Sequence, residues 1–188
     1  ATTWGGEADV AYALLPALRL TGTLAYTHGS NDTDNLPLAQ MPPLEARAGL
    51  DWVRGAWSAG GLVRVVAAQD RYVVDQGNIV GQDLGPTAGF TVVSLNAGWT
   101  SDLGVQVTAG IDNLLDRAYA EHLSRAGASV AGYEQTRQVN EPGRTYWLKA
   151  GAKLEGSDVV LIFDTDSAFK FGETSEIRLS GRKAGTYA

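Results

Sequence analysis

The chain has 188 residues, of which 44% are hydrophobic, with 23 glycines, five tryptophans and a formal net charge of −6. The acidic balance and the lack of a basic cluster argue against nucleic acid as a partner. The absence of cysteine excludes disulfides, thiolate zinc sites and thiol nucleophiles, and no run of about 18 apolar residues could form a transmembrane helix. Many glycines and aromatic residues together favour a β-rich fold.

Apolar and polar side chains alternate with a period of two along most of the chain, which is typical of strands with two different faces. In the fourth strand the alternation is less regular, because Leu62 and Val66 fall on the polar side. Seven strands are predicted, at residues 4–14, 18–26, 44–52, 57–67, 91–99, 105–112 and 146–154.

Short and long connections between these strands alternate strictly. The links at Pro16, Gly55 and residues 101–104 are brief, whereas residues 28–43, 69–89 and 120–143 are long, polar and rich in turn formers. We therefore predict an all-β fold: an antiparallel up-and-down meander of about seven strands, forming a segment of a large transmembrane β-barrel. The strands of a soluble β-sandwich also alternate apolar and polar side chains, so a sandwich is the alternative fold.

Aromatic residues lie where a membrane barrel needs its two interfacial girdles, because rings with one polar edge prefer the headgroup zone. Trp52, Trp57 and Trp99 lie beside short turns. Another four lie toward the long loops: Trp4, Tyr26, Phe90 and Tyr146.

Three segments carry a family resemblance: NLPLAQMPPLEARAGLDW (35–52), AGIDNLLDRAYAEHLSRAG (109–127) and VNEPGRTYWLKAGAKL (139–154). The matching features are Pro-Pro before a strand, Asn-Leu-Leu-Asp followed by a Tyr, and Pro-Gly-Arg entering the last predicted strand. These segments resemble the C-terminal barrel of TonB-dependent outer-membrane receptors, and their sequences are most similar to those of the TonB-dependent copper receptors.

The resemblance implies that residues 1–154 are the last third of a receptor barrel in the cell outer membrane, surrounded by lipid. The expected function is import of a metal ion or metal complex, with energy from TonB delivered to an N-terminal plug that this chain does not contain. The expected cargo is copper, and a siderophore or another chelate remains open as the alternative. Six polar side chains are then expected to line the lumen: Glu45, Arg47, Asp51, Arg64, Gln106 and Lys149.

The stretch GIDNLLDRAYAEHLSR (110–125) gathers several polar side chains directly after a predicted strand. Asp112 is expected on the lumen side, and residues 113–116 resemble the strand-exit turn of the family, where short polar side chains satisfy backbone groups. For Glu121 and His122 the alternatives are a solvated loop pair and a ligand role.

Copper favours thioether and imidazole donors. This chain has one methionine, Met41, and two histidines, His28 and His122, all predicted at the long-loop end. These three are the candidate metal donors, although they are widely spaced in the sequence.

Catalytic and nucleotide-binding motifs are lacking. The sequence contains no Gly-x-Gly-x-x-Gly or Walker pattern before a helix and no Gly-x-Ser-x-Gly elbow. Carboxylate pairs such as Asp32 and Asp34 lie in turn-rich segments, where such residues usually form turns. We predict neither an enzyme nor a resident cofactor.

Residues 155–188 depart from the family pattern. The apolar run 159–163 is typical of a strand buried on both faces, and the segment after it, with Phe169 and Phe171, weakly resembles the start of an OmpA-like periplasmic domain. The alternatives are a cloning or gene-prediction artefact, with Glu-Gly-Ser as the junction, and an eighth strand at residues 159–163 that closes a small barrel. The missing alternation in this run counts against a barrel strand. The OmpA-like alternative allows a rival function, that of a structural outer-membrane protein which anchors peptidoglycan through its tail.

Overall fold

A computed structural model describes residues 1–74, 76–77, 83–124, 131–132, 139–154 and 157–165. Nine strands occur in these ranges: β1 (Thr2–Leu15), β2 (Leu18–Asn31), β3 (Leu36–Pro37), β4 (Glu45–Arg54), β5 (Trp57–Val66), β6 (Phe90–Thr100), β7 (Val105–Asp112), β8 (Thr145–Leu154) and β9 (Ser157–Thr165). Within the described residues no helix is long and apolar enough to cross a membrane.

The strands form one antiparallel sheet in the order β1-β2-β4-β5-β6-β7-β8-β9, and the two-residue β3 pairs with β2. Apart from the short β3, each strand pairs with the next strand along the chain, so the predicted all-β meander is confirmed. Three long connections leave the same end of the sheet, and we name them loop 1 (residues 32–44), loop 2 (residues 67–89) and loop 3 (residues 113–144).

Directly paired residues in an antiparallel ladder project to the same side of the sheet. The alternation along each strand therefore gives the sheet one polar and one apolar face. On the apolar face the large side chains are exposed: Trp4 is 58% exposed and Tyr12 is 63% exposed. No second sheet covers this face in the part of the chain that the structure describes, so the β-sandwich alternative is wrong. Such an exposed apolar band is what a lipid-facing barrel wall requires.

Residues 157–165 extend the ladder beyond the seven predicted strands. β9 pairs with β8 from Leu154↔Ser157 to Tyr146↔Thr165, so the run 159–163 lies in a strand of the sheet. The small closed barrel of the eighth-strand alternative is wrong for the described strands, because β9 does not pair with β1. Among the described strands β1 and β9 each have one neighbour, so both are edges. The domain boundary after residue 154 stays a prediction, and residues 166–188 lie outside the described range.

A small core lies at the long-loop end on the polar face. In the described ranges the buried hydrophobic residues are Val66, Phe90 and Ala120. Val66 pairs with Phe90, and Phe90 packs on Tyr119 of loop 3 at a ring-centroid distance of 4.2 Å. Phe90 therefore does not belong to the predicted outer aromatic girdle. In the period-two pattern of β6, the Phe90 side chain falls on the polar face and the Trp99 side chain falls on the apolar face.

Candidate functional site

The six residues predicted to line a lumen share the polar face. Glu45, Arg47 and Asp51 alternate along β4, and Arg47 pairs with Arg64 of β5. From Arg64 the ladder continues across β6 to the polar face of β7 and β8. Gln106 and Thr108 lie there on β7, and their partners on β8 are Gly151 and Lys149. The shared face follows from the register, whereas the lumen itself stays a prediction.

Arg64 joins two strands and a loop on this face. Its Nη2 donates to Glu45 Oε2 at 2.7 Å and to Glu121 Oε2 at 3.2 Å, and its Nη1 donates to Glu121 Oε1. Arg47 also donates to Glu45. The Arg64 guanidinium lies 5.3 Å from the Phe90 ring centroid, in cation–π range. The bidentate ion pair between Arg64 and Glu121 therefore holds loop 3 against the sheet. Bidentate pairs are among the strongest charge-assisted hydrogen bonds.

A cavity of about 540 Å³ opens on the polar face beside this ion pair. Loop 3 contributes Asn113, Tyr119 and Pro142 to its rim, and the strands contribute Arg64 and Trp147 among other residues. The cavity is therefore bounded by the sheet and by the base of the loop that Arg64 holds.

The predicted strand-exit turn at residues 113–116 is confirmed. Asn113 and Asp116 adopt positive φ values of 49° and 52°. The Asn113 side chain donates to the carbonyls of Arg117 and Pro142 at 2.9 and 3.2 Å and accepts from Arg117 N at 2.8 Å. Asp116 Oδ1 accepts from Arg144 N at 2.8 Å. These side chains replace the ladder bonds lost where β7 ends and tie the two ends of loop 3 together.

The three candidate metal donors have different environments. The His28 ring stacks on Trp4 on the apolar face, with a centroid distance of 5.1 Å. Met41 lies over the opposite face of β2, because a Cβ built on Gly29 would meet the Met41 sulfur at 2.8 Å. Both His28 and Met41 border a second cavity, of about 290 Å³, between loop 1 and loop 2.

His122 lies apart from both, in a contact between loop 2 and loop 3. Its Nδ1 is 3.1 Å from Thr87 Oγ1, and its Nε2 is 3.7 Å from Asp83 Oδ1. Each of the His122 and Asp83 side chains is 1% exposed. Among the described residues no group of three or more His, Cys, Asp or Glu side chains could hold a metal ion. A metal role for His28, Met41 and His122 stays a prediction.

Burial lowers the pKa of His122 below its usual 6.5, and the nearby Asp83 carboxylate opposes this shift without cancelling it. The neutral imidazole is consistent with the geometry, because 3.7 Å is too long for a hydrogen bond between Nε2 and Asp83. Sequence reasoning missed Asp83. It lies in a polar loop, and its partners come from segments distant in the sequence.

Residues 1–114 match the family model described as TonB dependent receptor-like, beta-barrel. No curated protein matches the chain. The solved structure of the copper transporter OprC is 47% identical, with a TM-score of 0.74, and the match covers 79% of this chain and 23% of that one. This chain thus spans under a quarter of that protein.

Two variants of the ferric enterobactin receptor PfeA of Pseudomonas aeruginosa also match, one of them in complex with enterobactin. Each is 22% identical with a TM-score of 0.58, and each match covers 77% of this chain and 21% of the receptor, which supports the fold alone. The chain belongs to the TonB-dependent receptor β-barrels, a family of outer-membrane receptors rather than enzymes.

Proposed function

We propose that this chain forms the C-terminal part of the barrel of an outer-membrane receptor that imports copper. The observation that carries the proposal is the 47% identity to the copper transporter OprC over 79% of the chain. The ferric enterobactin receptors have less than half that identity over a similar length. A copper cargo is therefore better supported than a ferric chelate.

In the proposed mechanism the polar face lines the lumen and the apolar face contacts outer-membrane lipid. TonB acts on the plug of the receptor, and rearrangement of that plug lets the cargo pass along the wall that carries the six lining residues. The pairing of the ionic groups supports this role, because Arg64 and Arg47 are neutralised by Glu45 and Glu121. Paired charges such as these four can be wetted without holding a passing cation tightly.

Cargo capture is assigned to the long loops. Met41 is the donor best placed for it, because its thioether lies on the same side of β2 as the polar face. The His28 ring lies on the other side, against Trp4. The His122 imidazole is enclosed and could contact cargo only after loop 2 and loop 3 separate.

Copper uptake in cells that lack the complete gene tests the proposal. Cell-associated copper is measured by mass spectrometry in the deletion strain, in the strain complemented with the intact gene, and in the complemented strain without TonB. We expect copper accumulation to be restored only when both the receptor and TonB are present.

Equal copper uptake in the deletion and complemented strains would refute the proposal. Growth on a ferric chelate provides the specificity control. Restoration of chelate-dependent growth without restoration of copper uptake would assign the receptor to an iron carrier instead.

A further inference from the structure

Asp83 of loop 2 is almost completely buried, with 1% of the residue exposed. Its Oδ1 accepts a hydrogen bond from Gln40 N of loop 1, and its Oδ2 accepts from Val73 N of loop 2, each at 2.9 Å. The same Oδ1 faces His122 Nε2 of loop 3 at 3.7 Å. One carboxylate thus meets all three long loops.

Further contacts join the same segments. Gln69 Nε2 donates to Met41 O at 3.0 Å, which joins loop 2 to loop 1. Gln69 also pairs through its backbone with Thr87, whose hydroxyl contacts His122. Arg71 Nη2 donates to Gly29 O at 3.1 Å, which joins loop 2 to β2. Each of these contacts links two segments, whereas Asp83 is shared by three.

We infer that Asp83 is a positioning residue that holds the three long loops together as one layer over the end of the sheet and so fixes the segment that carries Met41. A carboxylate suits this role because each of its two oxygens accepts from a different backbone N–H. An asparagine offers one acceptor oxygen and would turn its NH₂ group toward the other backbone donor. The inference rests on the proposed function only in giving these loops a part in cargo capture.

Hydrogen exchange of the complete receptor, followed by mass spectrometry without cargo, tests the inference independently of transport. In Asp83→Asn we expect amide exchange to rise by roughly tenfold or more in the described parts of all three loops, since a charge-assisted hydrogen bond is lost. Exchange in β4, β5 and β6 should stay at the wild-type rate. The matched control is Asp34→Asn. Asp34 is an exposed carboxylate whose hydrogen bond comes from Asn31, three residues earlier in the chain, so it does not join different loops.

An exchange increase confined to loop 2 in Asp83→Asn would overturn the inference, because it would mean that the loops open independently. If Asp83→Asn does not assemble in the membrane, His122→Gln carries the test. A rise in both loop 2 and loop 3 then supports a shared layer, and a rise in loop 3 alone overturns it.

Discussion

Arg64 on β5 donates a hydrogen bond of 2.7 Å to Glu45 on β4, across the diagonal between neighbouring strands. The same guanidinium holds Glu121 of loop 3. A contact that would otherwise only join two strands therefore also sets the position of a loop.

Replacement of Arg64 by methionine should release the base of loop 3. The change leaves Glu121 without a cationic partner, whereas Glu45 keeps its contact with Arg47. Charge-assisted hydrogen bonds of this kind contribute about 1.5–3 kcal/mol each. We expect trypsin to cleave at Arg117 in loop 3 roughly tenfold faster or more in the complete receptor, because cleavage of a locally opened segment follows its population.

Lys149→Met is the matched control for this experiment. Lys149 lies on the same face and has no ion pair with any residue that the structure describes. Equal cleavage rates in wild type and Arg64→Met would mean that the ion pair does not hold the loop.

The strand-exit turn should depend on the side chain of Asn113. Asn113→Ala removes three hydrogen bonds from a residue that is 3% exposed and places alanine at a positive φ. We expect a loss of about 2–4 kcal/mol in the free energy of unfolding, measured by urea titration of the folded receptor in detergent.

Asn113→Gly separates the two causes, because glycine accepts the positive φ but provides no side-chain hydrogen bonds. It should recover about 1 kcal/mol relative to Asn113→Ala. If alanine is as stable as asparagine, the side-chain bonds contribute nothing measurable at this turn.

Gly110 on β7 provides space for the Trp147 indole on the neighbouring strand. A Cβ at Gly110 would overlap the indole ring of Trp147, its register partner. Gly110→Ala should therefore displace the ring and cost about 1–3 kcal/mol of unfolding free energy. Gly6→Ala is the control, because a Cβ at Gly6 meets nothing within 4 Å. Similar stability of the two variants would contradict the packing argument.

The cargo donors can be compared directly in the uptake assay. Met41→Leu keeps an apolar side chain of similar size but removes the thioether, and we expect the copper concentration for half-maximal uptake to rise roughly tenfold, which corresponds to about 1.4 kcal/mol. His28→Gln should have a smaller effect, since the His28 ring stacks on Trp4 away from the polar face. An unchanged half-saturation concentration in both variants would remove these side chains from the predicted donor set.

The two faces of the sheet were predictable because the environments on the two sides of a barrel wall differ at every residue. Three strands lie between Glu45 on β4 and Lys149 on β8, yet the period-two pattern placed both on the polar face, and the register agrees. The turn at Asn113 was predictable for a similar reason, since short polar side chains at a strand end act on their own backbone.

Contacts between loops were not predictable from the sequence. Gln40 and Asp83 are 43 positions apart and lie in segments without periodicity, so no pattern indicates that they meet. Phe90, in contrast, was predictable from the sequence. The period-two pattern of β6 puts its side chain on the polar face, whereas an aromatic residue near a long loop was expected in the outer girdle.

The packing of loop 2 against loop 3 should weaken at acidic pH. Burial lowers the pKa of His122 in the folded protein below its ordinary 6.5, so the opened segment binds more protons than the closed one at pH values below 6.5. The closed arrangement is therefore fully stable above about pH 6.5 and loses stability as the pH falls through the folded-state pKa. Asp83 and Thr87 are the side chains that contact the ring.

Trypsin cleavage at Arg117 of the complete receptor, compared between pH 7.5 and pH 5.5 with correction for the activity of the protease, measures this effect. We expect faster relative cleavage at the lower pH in wild type and no pH dependence in His122→Gln, which cannot be protonated in this range. His28→Gln is the control for the other histidine and should retain the wild-type dependence, because its ring lies on the apolar face. A pH dependence that persists in His122→Gln would assign the effect to another group.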